Sequence, residues 1–298
     1  MFNRRIAPLT ALLALALVAC PAYAWHGPGH EKATEAAVIA LKGKLPAFFT
    51  ADPSIQAHGS VDPDVFKHKR APLLMNAEYS DHYFDLEFLG GDDLPETRYA
   101  FIDYCAAKGL TPSKVGFAPY SVTEWTERLM VAFAEHRKWP ENEHIERKIV
   151  VYAGLLAHYA EDLCHPLHTT VHFDGRVAKP GAESPRTGIH LKTDALTGKI
   201  PIAPKAVAHA IEPKAHDDIF KAVIAELKKS HALVDKVYAL EKRYPELPEP
   251  IEKGSAVWRF TEERLDASAE FTASLYLTAW EKSKEVELPD YHVRKGGR

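Results

Sequence analysis

Apolar residues along this chain recur at helical spacing. Between Ser121 and Arg137, the positions Trp125, Leu129, Ala132 and Phe133 fall on one helical face, with Val131 a further apolar position. The pattern predicts an amphipathic helix with Ser121 and Thr123 as candidate N-caps, ended by Pro140. The stretch from Ile145 to Leu163 is denser. Ile149, Val150, Val151, Ala153, Leu155, Leu156 and Ala157 leave little polar face, which predicts a helix buried on most sides. Glu31 to Leu41 reads as a short amphipathic helix. Ile219 to Leu240 and Ser255 to Glu285 read as long helices with mixed faces, separated by Pro245, Pro248 and Pro250. No run alternates with the period of a strand, and no repeat or linker divides the chain. The expectation is an all-α, single-domain protein with long loops at 46–80, 88–120 and 169–187. Loops of that length in a compact helical domain tend to carry function.

The N-terminus has a different pattern. Arg4 and Arg5 precede an apolar run from Ile6 to Ala19, and Ala22, Tyr23 and Ala24 then give the small-x-small signature of a secretory cleavage site. Residues 1–24 are therefore expected to be a signal peptide and residues 25–298 the exported domain, periplasmic or extracellular, beginning at Trp25. Leu17 to Cys20 also fits a lipoprotein signal, with Cys20 lipidated. The apolar run is too short to span a bilayer, so no transmembrane segment is expected in the mature chain. Two cysteines remain, Cys105 and Cys164, and an export compartment permits a disulfide between them.

Composition narrows the chemistry. The 298 residues are 46% hydrophobic and 26% charged, which excludes a disordered, collagen-like or membrane-embedded chain. A formal charge of −4 excludes holding nucleic acid by bulk charge. Any phosphate chemistry must find its positive charge locally. Histidine is the oddity: 16 residues, more than the 13 phenylalanines, and clustered.

The densest cluster runs from His158 through Asp162 and His165 to His168, at the end of the predicted buried helix. His158 and Asp162 stand one helical turn apart on the same face, and Pro166 then breaks the helix so that His168 can turn back toward them. His190 and Asp194 repeat the spacing. An imidazole and a carboxylate one turn apart can share a metal ion, and that donor set suits zinc. A buried His and Asp need such a partner or a polar network. Upstream, His30, Asp64 and His82 are further candidates, and an N-terminal amine at Trp25 is a potential nitrogen ligand. His165 fits either a ligand or a supporting role. His26 and His172 fit bystanders.

These motifs together resemble the zinc-dependent phospholipase C and single-strand-specific nuclease superfamily, helical proteins that hold three zinc ions. The resemblance implies one zinc held by Asp64, His82, His158 and Asp162. It implies a second held by His168, His190 and Asp194. A third would be held by His30 and the amine and carbonyl of Trp25, with Asp162 bridging to the first. The implied activity is phosphodiester hydrolysis by a zinc-activated water attacking phosphorus, with Asp162 central and Lys67 neutralising the phosphate. The short step from Trp25 to His30, the His165 to His168 motif and the closing Asp194 resemble the nucleases. The Gly59 to Asp64 motif resembles the phospholipases. Lys67 stands where nucleases carry Arg, and Tyr83 where they place an aromatic that could stack on a base. The expected substrate is thus a single-stranded nucleic acid or a phospholipid, with no stable protein partner indicated. The alternative class is a non-catalytic metal-binding or zinc-stabilised scaffold.

Overall fold

The computed structural model describes residues 27–246 and 249–294. The expected signal peptide, Cys20, Trp25 and His26 lie outside the described residues. The fold is all-α. Among the described residues there is no strand, only an isolated bridge between Phe84 and Gly116. No helix among them is long and apolar enough to cross a membrane.

The predicted helices are present with shifted ends. The first, α1, runs Gly27–Ala40. The loop expected at 46–80 is instead largely helical: α2 (Pro53–Gly59), α3 (Asp62–Phe66) and α4 (Pro72–Tyr79). The loop expected at 88–120 likewise holds α5 (Arg98–Lys108) and α6 (Pro112–Val115). In α2, α3, α4 and α6 a proline stands in the first turn. Proline there starts a helix, because the missing N–H would have no partner anyway. The segment 169–187 is irregular, as expected.

Helix α7 spans Ala118–Lys138 and begins before its expected caps. Ser121 and Thr123 are inside the first turns, and their hydroxyls donate to the carbonyls of Phe117 and Pro119 at 3.2 and 2.8 Å. Helix α8 spans Glu143–Leu163 and is capped by Asn142, whose side chain accepts from His144 N at 3.0 Å. Then follow α9 (Ile189–Lys199) and α10 (Pro204–Ala210). The long helix expected over 219–240 is broken into α11 (Ile219–His231) and α12 (Val234–Leu240). The break lets His231 Nδ1–H donate to the Thr169 carbonyl at 2.8 Å. Helix α13 (Ala256–Lys282) ends in a 3-10 turn, Ser283–Glu285.

Two apolar clusters hold these helices. One gathers Phe49, Phe101, Phe133, Ile149, Leu156 and Tyr276, between α5, α7, α8 and α13. The other gathers Ala33, Leu196, Val207, Val237 and Leu265, between α1, α9, α10, α12 and α13. Helices α1, α8 and α13 pack on one another and join the two. Cys105 and Cys164 are both buried and free, so they do not form the disulfide that export would permit.

One crossing positions the site. A Cβ on Gly154 of α8 would meet the Gln56 carbonyl at 2.8 Å and Gly59 backbone at 3.0 Å. Glycine alone lets α2 lie this close to α8. The chain leaving α2 then passes directly over the inner face of α8, carrying Ser60 and, on α3, Asp64.

Candidate metal centre

The centre is built on the last two turns of α8. His158, Glu161 and Asp162 are fully buried there. His158 Nδ1–H donates to the Ser60 carbonyl at 2.6 Å, which turns its Nε2 inward. A neutral imidazole whose Nδ1 carries the proton leaves a lone pair on Nε2. That nitrogen lies 3.4 Å from Asp162 Oδ2, 3.8 Å from Asp64 Oδ1 and 2.9 Å from His82 Nδ1.

His82 enters from a short turn that follows α4. Its Nδ1 lies 2.9 Å from Asp162 Oδ2, and its Nε2 faces Glu78 Oε1 at 3.5 Å. Glu78 also accepts a hydrogen bond from Tyr159. Burial alone would raise the Glu78 carboxyl, but the bonds from His82 and Tyr159 outweigh it and hold the group below its ordinary value. The segment after His82 is stitched on both sides. Phe84 N donates to the His168 carbonyl at 2.9 Å and Asp85 N to the Val115 carbonyl at 2.7 Å. Gly116, at φ +105°, makes this approach possible, since a Cβ there would stand 2.0 Å from the Tyr83 carbonyl oxygen.

His30 reaches the same place from α1. Its Nδ1–H donates to Glu161 Oε2 at 2.7 Å, and its Nε2 lies 3.5 Å from Asp162 Oδ1. Thr34, one turn further along α1, donates to the other Glu161 oxygen at 2.8 Å. Burial lowers the His30 pKa and raises that of Glu161. Asp162 goes the other way: burial would raise it, but His168, His158 and His82 together hold it well below the ordinary carboxylate value.

The second group lies beyond Pro166. His168 Nδ1–H donates to the His82 carbonyl at 2.8 Å, leaving Nε2 buried and without a hydrogen bond. Burial lowers the His168 pKa to about 4. His190 and Asp194 stand one turn apart on α9, with His190 Nε2 3.1 Å from Asp194 Oδ2. Burial would lower the His190 pKa, but Asp194 outweighs it and raises it. Lys32 fixes α9 by donating to the Thr197 and Ile200 carbonyls at its C-terminus, at 2.8 and 2.5 Å. At the other end of α9, Asp174 accepts from Gly188 N at 2.7 Å.

His165, His168 and Asp194 bring ligand-type atoms within 4.8 Å of one another, as do His82, His158 and Asp162, and also His30, Asp64 and His158. Within the first of these groups the tautomers discriminate. His165 Nδ1 accepts from Leu167 N at 3.1 Å, so the ring proton sits on Nε2, which lies 3.1 Å from Asp194 Oδ1. His165 therefore faces Asp194 with an N–H and not with a lone pair. His190 instead directs its Nδ1–H to the Phe173 carbonyl at 3.3 Å and turns Nε2 inward. It is the better nitrogen donor beside His168.

A cation fits this arrangement. His30 Nε2 and Asp162 Oδ1 face each other, both buried and both without a hydrogen bond. Two lone pairs opposed in a dry interior are costly unless something positive stands between them. Imidazole nitrogens held by partners on their far side, with carboxylates beside them, form the ordinary surroundings of a protein-bound metal.

The structure brings together His30, Asp64, His82, His158, Asp162, His168, His190 and Asp194. Trp25 lies outside the described residues. Lys67 is ion-paired with Asp64 at 2.6 Å. Tyr83 is half-buried, its hydroxyl donating to the Ser113 carbonyl at 2.6 Å, and burial raises its pKa. His172 stands apart, its Nδ1 accepting from Val177 N at 3.1 Å. Sequence reasoning missed Glu78, Glu161 and the Ser60 carbonyl. An acidic Glu161 inside a helix expected to be buried on most sides was the one visible signal. No protein-family model matches the chain, and no curated protein matches it.

Proposed function

We propose that the chain is an exported, zinc-dependent phosphodiester hydrolase of the phospholipase C and single-strand nuclease type, with three zinc ions. The observation that supports this is the gathering of eight expected ligands, drawn from His30 to Asp194, into adjoining groups, with the Asp162 carboxylate within 4.0 Å of His30, His82, His158 and His168. Asp64, His82, His158 and Asp162 would hold one ion; His168, His190 and Asp194 a second; His30 and the Trp25 amine a third. Bound there, zinc would supply a water acidic enough to act as nucleophile at neutral pH and positive charge for the phosphate.

The chain's own residues divide the remaining work. Lys67, beside Asp64, would meet a phosphate oxygen as a point charge. Tyr83, next to His82 and fixed through its hydroxyl, would flank the base or headgroup. The histidines around Asp162 outweigh its burial and keep it ionised and able to bridge. One observation favours the scaffold reading instead: His30, His158 and Asp162 are fully buried, as in a metal that only staples helices together.

Metal analysis of the exported protein followed by assays on bis(p-nitrophenyl) phosphate, single-stranded DNA and phosphatidylcholine decides between them. The hydrolase reading expects turnover of the generic diester and of one natural substrate. Asp162→Asn should lose metal and at least about 100-fold in rate, the scale of losing a metal-activated nucleophile. His172→Ala should change neither. Zinc-replete protein that turns over none of the three substrates is the scaffold, not the enzyme.

A further inference from the structure

The rim of the centre next to Asp64 has an unusual surface. Between Asp64 and Glu78, both buried, there is no acidic residue. That interval instead carries Lys67, His68, Lys69 and Arg70 in succession, in a chain whose net charge is −4. The run forms the turn between α3 and α4, closed by Ala71 N donating to the His68 carbonyl at 2.8 Å and Arg70 N to His68 Nδ1 at 3.2 Å. His68, Lys69 and Arg70 all point to solvent.

Large aliphatic side chains are exposed on either side of these cations, with one aromatic, Tyr79, 44% exposed beneath Lys67. Val65 is 60% exposed, Leu73 88% and Leu74 45%. Leu73, Leu74 and Ala77 fall on one face of α4 and are all exposed. Leaving large aliphatic side chains in water is costly, and doing so beside a block of cations is the composition of a surface that meets lipid headgroups and the acyl boundary beneath them. A single-stranded nucleic acid would match the charge. It would gain nothing from Val65, Leu73 and Leu74, because bases are held by stacking on aromatic rings, and the exposed ring here, Tyr79, already faces Lys67 Nζ at 5.6 Å.

We propose that this lip, with Val65, Leu73 and Leu74 entering the interface and Lys69 and Arg70 meeting the headgroups, docks the protein on an anionic phospholipid membrane. The neighbouring Asp64 and Lys67 then lie at headgroup level. The inference rests on the hydrolase reading only in making a headgroup diester the substrate; docking itself requires neither metal nor turnover. It selects the phospholipid branch of that reading.

The test is cosedimentation of the full exported chain with vesicles of phosphatidylcholine, alone or mixed with phosphatidylglycerol. Wild type should bind the mixed vesicles, less so at high salt. Leu73→Glu with Leu74→Glu should weaken that binding by about tenfold or more, given the apolar area withdrawn from the interface. Lys69→Glu with Arg70→Glu should remove the preference for anionic vesicles. Both double variants alter exposed side chains, and their hydrolysis of bis(p-nitrophenyl) phosphate should equal wild type. Wild type that stays in the supernatant overturns the proposal. So do variants that sediment like wild type, or variants whose loss is of single-stranded oligonucleotide binding and not of vesicle binding. Normal docking with no diester turnover overturns the hydrolase reading and leaves this one standing.

Discussion

An imidazole can offer a cation only one nitrogen at a time, and the inward histidines have mostly committed the other. His158, His168 and His190 give Nδ1–H to the carbonyls of Ser60, His82 and Phe173, and His30 gives it to Glu161. Glu161 is the only side chain among these four acceptors, so it is the one that mutation can remove. Glu161→Leu should weaken binding of one zinc by about 10- to 100-fold, the usual cost of losing such a partner. Glu161→Gln keeps an acceptor oxygen and should lose less. Competition with a chromogenic chelator measures both, and wild-type affinity in Glu161→Leu would show that the contact does not tune the metal. His158, Asp162 and His168 were legible in the sequence because local spacing alone brings them together. Glu161 was not: it sits about 100° around the helix from Asp162, and its partner His30 is 131 positions away. His165 and His190 could not be ranked from spacing either, since the difference lies in which backbone group each ring nitrogen meets.

At the scale of elements, the long helices were legible and the short ones were not. Proline is ambiguous in sequence: Pro140 and Pro166 end helices, while Pro53, Pro63, Pro72 and Pro112 begin them. The four helices that these begin fall within segments expected to be loops, the one that carries Asp64 among them. Helix α13 contains a different tension. Asp266 is half-buried on it, with Glu262 and Glu270 one turn to either side. Burial, then those two charges, push its pKa from 3.8 up to about 6. A carboxyl that binds its proton more tightly folded than unfolded favours the fold while protonated. That contribution is fully present below pH 3.8 and is lost as pH rises through about 6. Asp266→Asn removes the ionisation. It should raise the unfolding midpoint more at about pH 8 than at about pH 4.5, because the penalty is complete only above the folded pKa. Thermal scans at the two pH values check this, and an equal gain at both would place the effect outside the titration.

At the scale of the molecule, the centre ties α1, α3, α8 and α9 to one another. Removing the cation would leave several buried acceptors facing each other, so the metal and the fold should be linked. Zinc at a hundred times its dissociation constant adds about 2.7 kcal/mol to a fold that binds it at one site. For a chain of this size that corresponds to a midpoint lowered by roughly 5 °C or more on chelation, and restored by zinc. Differential scanning calorimetry with metal analysis reads it. Verified metal loss with an unchanged midpoint would mean that the ion was held elsewhere. The all-α fold class was legible at this scale, because helical periodicity is local. The way α13 joins two apolar clusters was not, since it depends on contacts between distant helices. That joining sets an order of assembly. Helix α1, which carries His30, packs along α10 and α13 as well as α2 and α9, so part of its landing surface is among the last parts of the chain to be made. Closing so long a loop is slow compared with forming any single helix. A nascent chain can gather the acids and imidazoles of α3, α8 and α9 first, but the packing of the helix that carries His30 is complete only when residues 256–282 have arrived.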